Sequence, residues 1–164
     1  MTSKSETMLI QAYRATDDIE AVRALFKEYA DSLDVDLCFQ NFEAELADLP
    51  GDYSQPRGTL LIAHSAHDMV GCCALRPLDT ADYPNACEMK RLYVRPALRG
   101  NGLGRRLAEA VMQAATLAGY TYVLLDTLSE METARAMYQE LGFVEVAPYY
   151  FNPIEGAHYL MARL

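Results

Sequence analysis

The sequence predicts an α/β (α+β) fold of about seven strands flanked by about four helices, in a single domain spanning residues 1–164. Three observations predict it. Apolar runs of strand length alternate with runs of helical periodicity, in the order β-α-α-β-β-β-α-β-α-β-β. Glycine, proline and polar breaks separate these runs. A turn with three glycines, Arg-Gly-Asn-Gly-Leu-Gly at residues 99–104, stands where a strand-like run (87–94) hands over to a helix-like run (103–118). At 164 residues the chain is long enough to bury a core without disulfides or metal. Its 51% hydrophobic and 23% charged content is that of a soluble globular protein.

Residues 8–15 alternate loosely and read as the first strand. Asp17 with Glu20 three residues on reads as a capping box, and Ile19, Val22, Leu25, Phe26, Tyr29 and Leu33 follow at helical spacing. A second, short helix is expected near 39–49, stopped by Pro50-Gly51, with a loop over 51–58. Residues 59–64 and 69–75 form a hairpin around a short polar turn, the second strand ending at Arg76-Pro77. After a loop at 79–85 comes a strand over 88–94, closed by Arg95-Pro96. Leu103, Leu107, Ala110, Val111, Ala114 and Ala118 line one face of the next helix, with Gly119 as its C-cap. A strand at 120–126, a helix at 130–141 stopped by Gly142, and strands at 143–146 and 158–163 complete the chain.

Several function classes are disfavoured by composition. A formal net charge of −9 lacks the basic footprint of a nucleic-acid binder. No run reaches membrane-span length, residues 1–6 are polar with no signal-peptide core, and the expected location is cytoplasmic. Cys38, Cys72, Cys73 and Cys87 form no C-x-x-C and read as small core residues in a reducing compartment. His64 and His67 flank the hairpin tip without convincing metal partners, so no metal site is expected.

The glycine turn is the most informative segment. Glycines at a strand-to-helix junction leave backbone N–H groups unshielded at the positive end of a helix, a ready anion site. Lys90, Arg91, Arg95, Arg99, Arg105 and Arg106 crowd the same stretch of an acidic chain. The alternative is a helix-start turn with chance glycines. Spacing narrows the ligand. A G-x-G-x-x-G dinucleotide fingerprint needs glycine at Arg105 or Leu107, and no Gly-Lys-Ser/Thr of a P-loop occurs.

What remains, Arg99-x-x-Gly102-x-Gly104, resembles the R/Q-x-x-G-x-G/A signature of the GNAT family of N-acetyltransferases. Two further blocks resemble the family in order and spacing: Glu88-Met-Lys-Arg-Leu-Tyr-Val94-Arg-Pro its fourth strand, and Ala134-x-x-x-Tyr138-x-x-x-Gly142-Phe143 its fourth-helix signature. The likeness covers the C-terminal two-thirds of the chain. It implies a mixed, mostly antiparallel twisted sheet with helices on both faces, and acetyl-CoA (coenzyme A) as acyl-donor cosubstrate. Backbone groups of Arg99, Gly100, Asn101, Gly102, Leu103, Gly104 and Arg105 would hold the pyrophosphate, and the strand edge at Val94 the pantetheine arm. The N–H of Leu92 would polarise the thioester carbonyl.

By the same resemblance Glu88 holds the general-base position and Tyr138 the general-acid position. A carboxylate among apolar neighbours has its pKa raised toward the task, whereas a salt bridge to Lys90 on the same strand face would lower it. A family-type bulge would break that shared face; otherwise Glu88 is an ion-paired structural residue. Tyr138 also shares a stripe with Met131, Ala134 and Leu141, so packing and catalysis are compatible for it. Met131 replaces a frequent family asparagine, a departure that Thr127 or Ser129 would have to cover. Cys87 lacks a nearby histidine or other sign of an activated thiol, and no covalent intermediate is needed.

The expected activity is transfer of an acetyl group to a primary amine, by direct attack; the alternative is a non-catalytic acyl-CoA-binding or sensing module. The partner is a small-molecule or peptide amine, with a homodimer left open and no nucleic acid or membrane. Acceptor contacts map to the eleven acidic residues between Asp17 and Asp52, to Arg76, and to the Tyr149-Tyr150-Phe151-Asn152 cluster. The acids suit a cationic amine, whereas Arg76, if it faces the cleft, suits a carboxylate.

Overall fold

The computed structural model describes residues 8–33, 37, 41–66, 68–80, 82–128, 132–150, 152 and 154–164. Residues 1–6, Cys38, His67, Ser129, Met131 and Phe151, and the expected beginnings of the second and fourth helices, lie outside them. Seven strands form one sheet in the order β1-β2-β3-β4-β5-β7-β6. They are β1 (Leu9–Ala12), β2 (Thr59–His64), β3 (Met69–Leu78), β4 (Ala86–Val94), β5 (Tyr122–Leu128), β6 (Val144–Val146) and β7 (Ala157–Arg163). The helices are α1 (Ile19–Ser32), α2 (Phe42–Asp48), α3 (Leu103–Leu117) and α4 (Glu132–Glu140). Every neighbouring strand pair is antiparallel except β4–β5.

Strand alternation divides the core in two. Leu60, Ile62, Cys72 and Ala74 face α1 and α2 and pack on Val22, Leu25, Phe26 and Leu46. Leu61, Ala63, Cys73, Leu75, Cys87 and Met89 face the other way, onto Leu107, Val111, Ala115 and Tyr138. The adjacent Cys72 and Cys73 thus serve opposite cores, and burial pushes the Cys72 and Cys87 thiols up to about 12. Among the described residues no group of three His, Cys, Asp or Glu is placed to hold a metal. No described helix is long and apolar enough to cross a membrane.

Several boundaries differ from expectation for physical reasons. The N-cap of α1 is Asp18, whose Oδ1 accepts from Glu20 N and Ala21 N, while Asp17 accepts from Arg14 N. β3 runs through Arg76-Pro77 to Leu78. β2 begins at Thr59 opposite Leu75, so by Pro77 one edge of β3 is open and a residue without an N–H is tolerated. Residues 51–53 of the expected loop form a 3₁₀ turn. In α3 the buried stripe is Leu103, Leu107, Ala108, Val111 and Ala115, and Ala118 is exposed. Both α3 and α4 end in the same cap. Tyr120 N donates to Ala115 O and Gly119 N to Thr116 O; Phe143 N donates to Tyr138 O and Gly142 N to Gln139 O.

Candidate active site

The site is built where the sheet parts. β4 and β5 pair only from Ala86↔Tyr122 to Glu88↔Leu124. Beyond Glu88 the β5-facing edge of β4 has no strand partner among the described residues. At the same place β4 carries a bulge: Cys72 pairs with Tyr93 and Ala74 with Lys90, so Arg91 and Leu92 stand opposite Cys73 alone. Arg91 takes a left-handed backbone, φ 63°, uncommon for a residue with a long side chain. The extra residue exchanges the faces of the last two residues of the strand and of Leu92. Tyr93 turns toward α1 and α2, while Leu92 and Val94 turn toward α3.

The bulge is clamped. The Arg91 guanidinium donates to Glu45 through Nε (2.9 Å to Oε2) and Nη2 (3.0 Å to Oε1). It lies over the rings of Tyr29 and Phe42, at 5.7 and 5.2 Å from their centroids. The Tyr53 hydroxyl donates to Glu45 as well, at 2.8 Å.

Two connected depressions meet over the parted strands, sharing Tyr29, Leu92 and Ala134 in their walls. The outer one is an open groove of about 740 Å³, a size suited to a large organic ligand. Its walls include Leu92, Val94, Arg99, Gly100, Gly102, Leu103, Gly104 and Arg105; Asn101 is exposed outside them. Gly100 (φ 90°) and Gly102 (φ 76°) have left-handed backbones, and Gly102 heads α3 with no side-chain cap. The α3 ladder begins with Arg106 N donating to Gly102 O, so the N–H groups of Leu103, Gly104 and Arg105, all in the groove wall, have no acceptor within the helix. A Cβ on Gly100 or Gly102 would meet nothing within 4 Å, and one on Gly104 only Val94, at 3.9 Å. The fold does not need glycine at 104, where φ is ordinary; the open space is a cradle.

The expected cationic flank is mostly neutralised. Arg91 pairs with Glu45, Arg95 with Glu28, and Arg105 with Glu109 and Glu140. Lys90 Nζ stands 3.9 Å from Glu88. Arg106 donates to the Met8 carbonyl. Arg99 lies over the Tyr93 ring and donates from Nε to Val94 O at 2.8 Å, so it covers the strand edge expected to receive the pantetheine arm. Of the groups expected to receive an anion, the backbone N–H groups and Arg99 are left without a carboxylate partner among the described residues.

The inner cleft is lined by Lys90, Leu92, Asp126, Thr127, Ala134 and Tyr138, among others. Tyr138 is buried, edge-on to Phe143, and its hydroxyl bonds to no described residue. Burial raises its pKa well above the ordinary phenol value.

Glu88 does not line this cleft. It is 1% exposed, with Oε1 accepting from Arg76 Nε (2.8 Å) and Oε2 from the Tyr149 hydroxyl (2.7 Å). The bulge falls after Lys90, so Glu88 and Lys90 keep the same face, and the break expected between them does not occur. Burial lowers the Lys90 pKa against the pull of Glu88. The geometry is that of a buried ion pair, the structural alternative for Glu88. Arg76, committed to Glu88 and 3.9 Å from Asp52, brings no uncommitted charge to an acceptor carboxylate.

Sequence reasoning passed over Asp126. It is half-buried and two residues beyond the last β4–β5 pair, and its Oδ2 accepts from the Tyr150 hydroxyl at 2.7 Å. Its signal was a carboxylate closing the otherwise apolar run Tyr122-Val-Leu-Leu-Asp126.

Comparison with known proteins agrees with this architecture. The profile of the acetyltransferase (GNAT) family matches residues 19–143. The chain belongs to the GNAT acetyltransferase family. This GNAT chain is 37% identical over 162 residues to an uncharacterised N-acetyltransferase of Schizosaccharomyces pombe, covering 98% of each. In fold it resembles an acetyltransferase from Streptococcus agalactiae (TM-score 0.76, 23% identity, 96% of this chain and 98% of that one). A GNAT acetyltransferase from Elizabethkingia anophelis with acetyl-CoA bound has a TM-score of 0.67 at 20% identity, over 98% of this chain and all of that one.

Proposed function

We propose that this GNAT chain transfers the acetyl group of acetyl-CoA to a primary amine of a small molecule or peptide, by direct attack. One observation carries the reading. The groove that starts at the uncapped, glycine-lined end of α3 leads into the cleft that Leu92, on the stretch of β4 no longer paired to β5, and Tyr138 line together. The groove fits a coenzyme A donor: backbone N–H groups and Arg99 suit a pyrophosphate, and the space beside Gly104 admits it. A structural neighbour of the same fold holds acetyl-CoA.

The residues then have defined tasks. Leu92, held by the clamped bulge, supplies a fixed N–H for the oxygen that gains charge as the amine attacks. Tyr138, which keeps its proton because it is buried, supplies a hydrogen bond to the departing sulfur. Arg99 moves off Val94 O to free the strand edge.

The test is thiol release from acetyl-CoA with spermidine, glycinamide, kanamycin and a lysine-containing peptide. Thermal shifts with acetyl-CoA, NAD and ATP run in parallel. Acetyl-CoA alone should stabilise the protein, and at least one amine should release thiol. Stabilisation without thiol release from any amine would favour the sensing module.

A further inference from the structure

We infer that Asp126 is the group that receives the acceptor's ammonium and takes its proton, with Tyr150 as its positioning residue; this rests on the transferase reading above. The cleft brings the two acidic candidates into direct comparison. Glu88 lies outside its walls, 1% exposed, with one oxygen on Arg76 and the other on Tyr149. Asp126 lies in the wall, half-buried, with Oδ2 on the Tyr150 hydroxyl and Oδ1 without a hydrogen-bond partner among the described residues. A base must reach the proton that it removes, and of the two only Asp126 borders the space shared by Leu92 and Tyr138.

Asp126 is also held in place. It pairs with Tyr159 in the β5–β7 ladder, and the rings of Tyr149, Tyr150 and Tyr159 meet edge-on with centroids 5.3 to 5.5 Å apart. Asn152 Nδ2 donates to the Tyr150 hydroxyl at 3.3 Å, which leaves that hydroxyl's proton for Asp126. Among the described residues, the titratable groups near enough to sense the carboxylate include Lys90 from β4, Tyr29 from α1, Tyr138 from α4, and the three tyrosines of the β6–β7 side. Lys90 brings the positive charge of this set, so an arriving ammonium meets an anion that Lys90 does not bridge at salt-bridge distance.

The proton balance is complete without another reactant. The ammonium gives one proton to Asp126, the neutral nitrogen bonds to the acetyl carbon, and the carbon–sulfur bond breaks. The second nitrogen proton ends on the thiolate, and Asp126 returns its own proton to solvent.

The experiment compares D126N, Y150F and E88Q with the wild-type chain, using the four amines above and hydroxylamine, which is already neutral at pH 7 and needs no base. D126N should lower kcat/KM by roughly 10²-fold or more with every amine that the wild type uses, and by less than about threefold with hydroxylamine. Melting temperature and acetyl-CoA affinity should stay near wild type. Y150F should show a smaller loss of the same pattern, roughly 3-fold to 10-fold. A D126N enzyme near wild type with the amines, an equal loss with hydroxylamine, or a larger loss in E88Q than in D126N would overturn the assignment. A wild-type chain idle with every amine would instead overturn the transferase reading beneath it.

Discussion

Tyr138 keeps its proton because the charged phenolate would be stranded in the core, and its hydroxyl faces the cleft unbonded by any described residue. Substituting Tyr138→Phe removes only that hydroxyl and leaves the ring against Phe143. Stability should change by less than about 1.5 kcal/mol, while kcat falls roughly 10-fold to 10³-fold. Melting temperature and kcat on one preparation decide the matter; a large loss of stability with normal turnover would reduce Tyr138 to packing. Gly104 offers the complementary test. Its φ is ordinary and an added Cβ meets only Val94, so Gly104→Val should fold with a melting temperature close to wild type. Acetyl-CoA affinity should nonetheless fall about 10-fold or more, because a branched side chain fills the cradle. Isothermal titration of a folded variant with unchanged affinity would move the phosphate site elsewhere.

At the scale of elements, the bulge of β4 is held by a side chain 46 residues away in sequence, the Glu45 partner of Arg91. Two requirements fall on position 91, a left-handed backbone and a bidentate cation. Arg91→Gly keeps the first and loses the second, whereas Arg91→Ala loses both. Both variants should lower kcat more than acetyl-CoA affinity, and Arg91→Ala should be less stable by a further ~1 kcal/mol. Equal stability in the two would show that the backbone there is unstrained. This clamp was not legible in the sequence. Helix and strand order was, because periodicity, Pro50-Gly51, Gly119 and Gly142 are local signals, and so was the turn at residues 99–104. A positive φ at an arginine has no local signature, and neither does the pairing of Arg91, Arg95 and Arg105 with glutamates from other elements. The same limit explains why Pro77 read as a strand end and why the partners of Glu88 stayed hidden: the open edge of β3 and the presence of Arg76 and Tyr149 exist only once the sheet is assembled.

For the molecule as a whole, burial of thiols and phenols ties stability to alkaline pH. Cys72 and Cys87 are pushed up to about 12, and Tyr53, Tyr138, Tyr149 and Tyr150 are raised as well. Above the ordinary thiol value of about 8.5 and phenol value of about 10, the unfolded chain releases protons that the folded chain retains. The stabilisation is therefore complete below pH ~8.5 and is lost as pH rises through the folded values. Urea midpoints at pH 7, 9 and 10.5 should fall in that order with a constant slope on denaturant; a flat series would contradict the burial of these groups. The three-pair seam between β4 and β5 has a different consequence. On the roles proposed above, it divides the reactive groups between two stretches of chain, the glycine turn and Leu92 before Gly119, and Asp126 and Tyr138 after it. Severed at that point, the pieces would be inert apart and active only when mixed, and a ligand lying across the seam would act as the glue that sets how dilute the mixture can be before activity disappears.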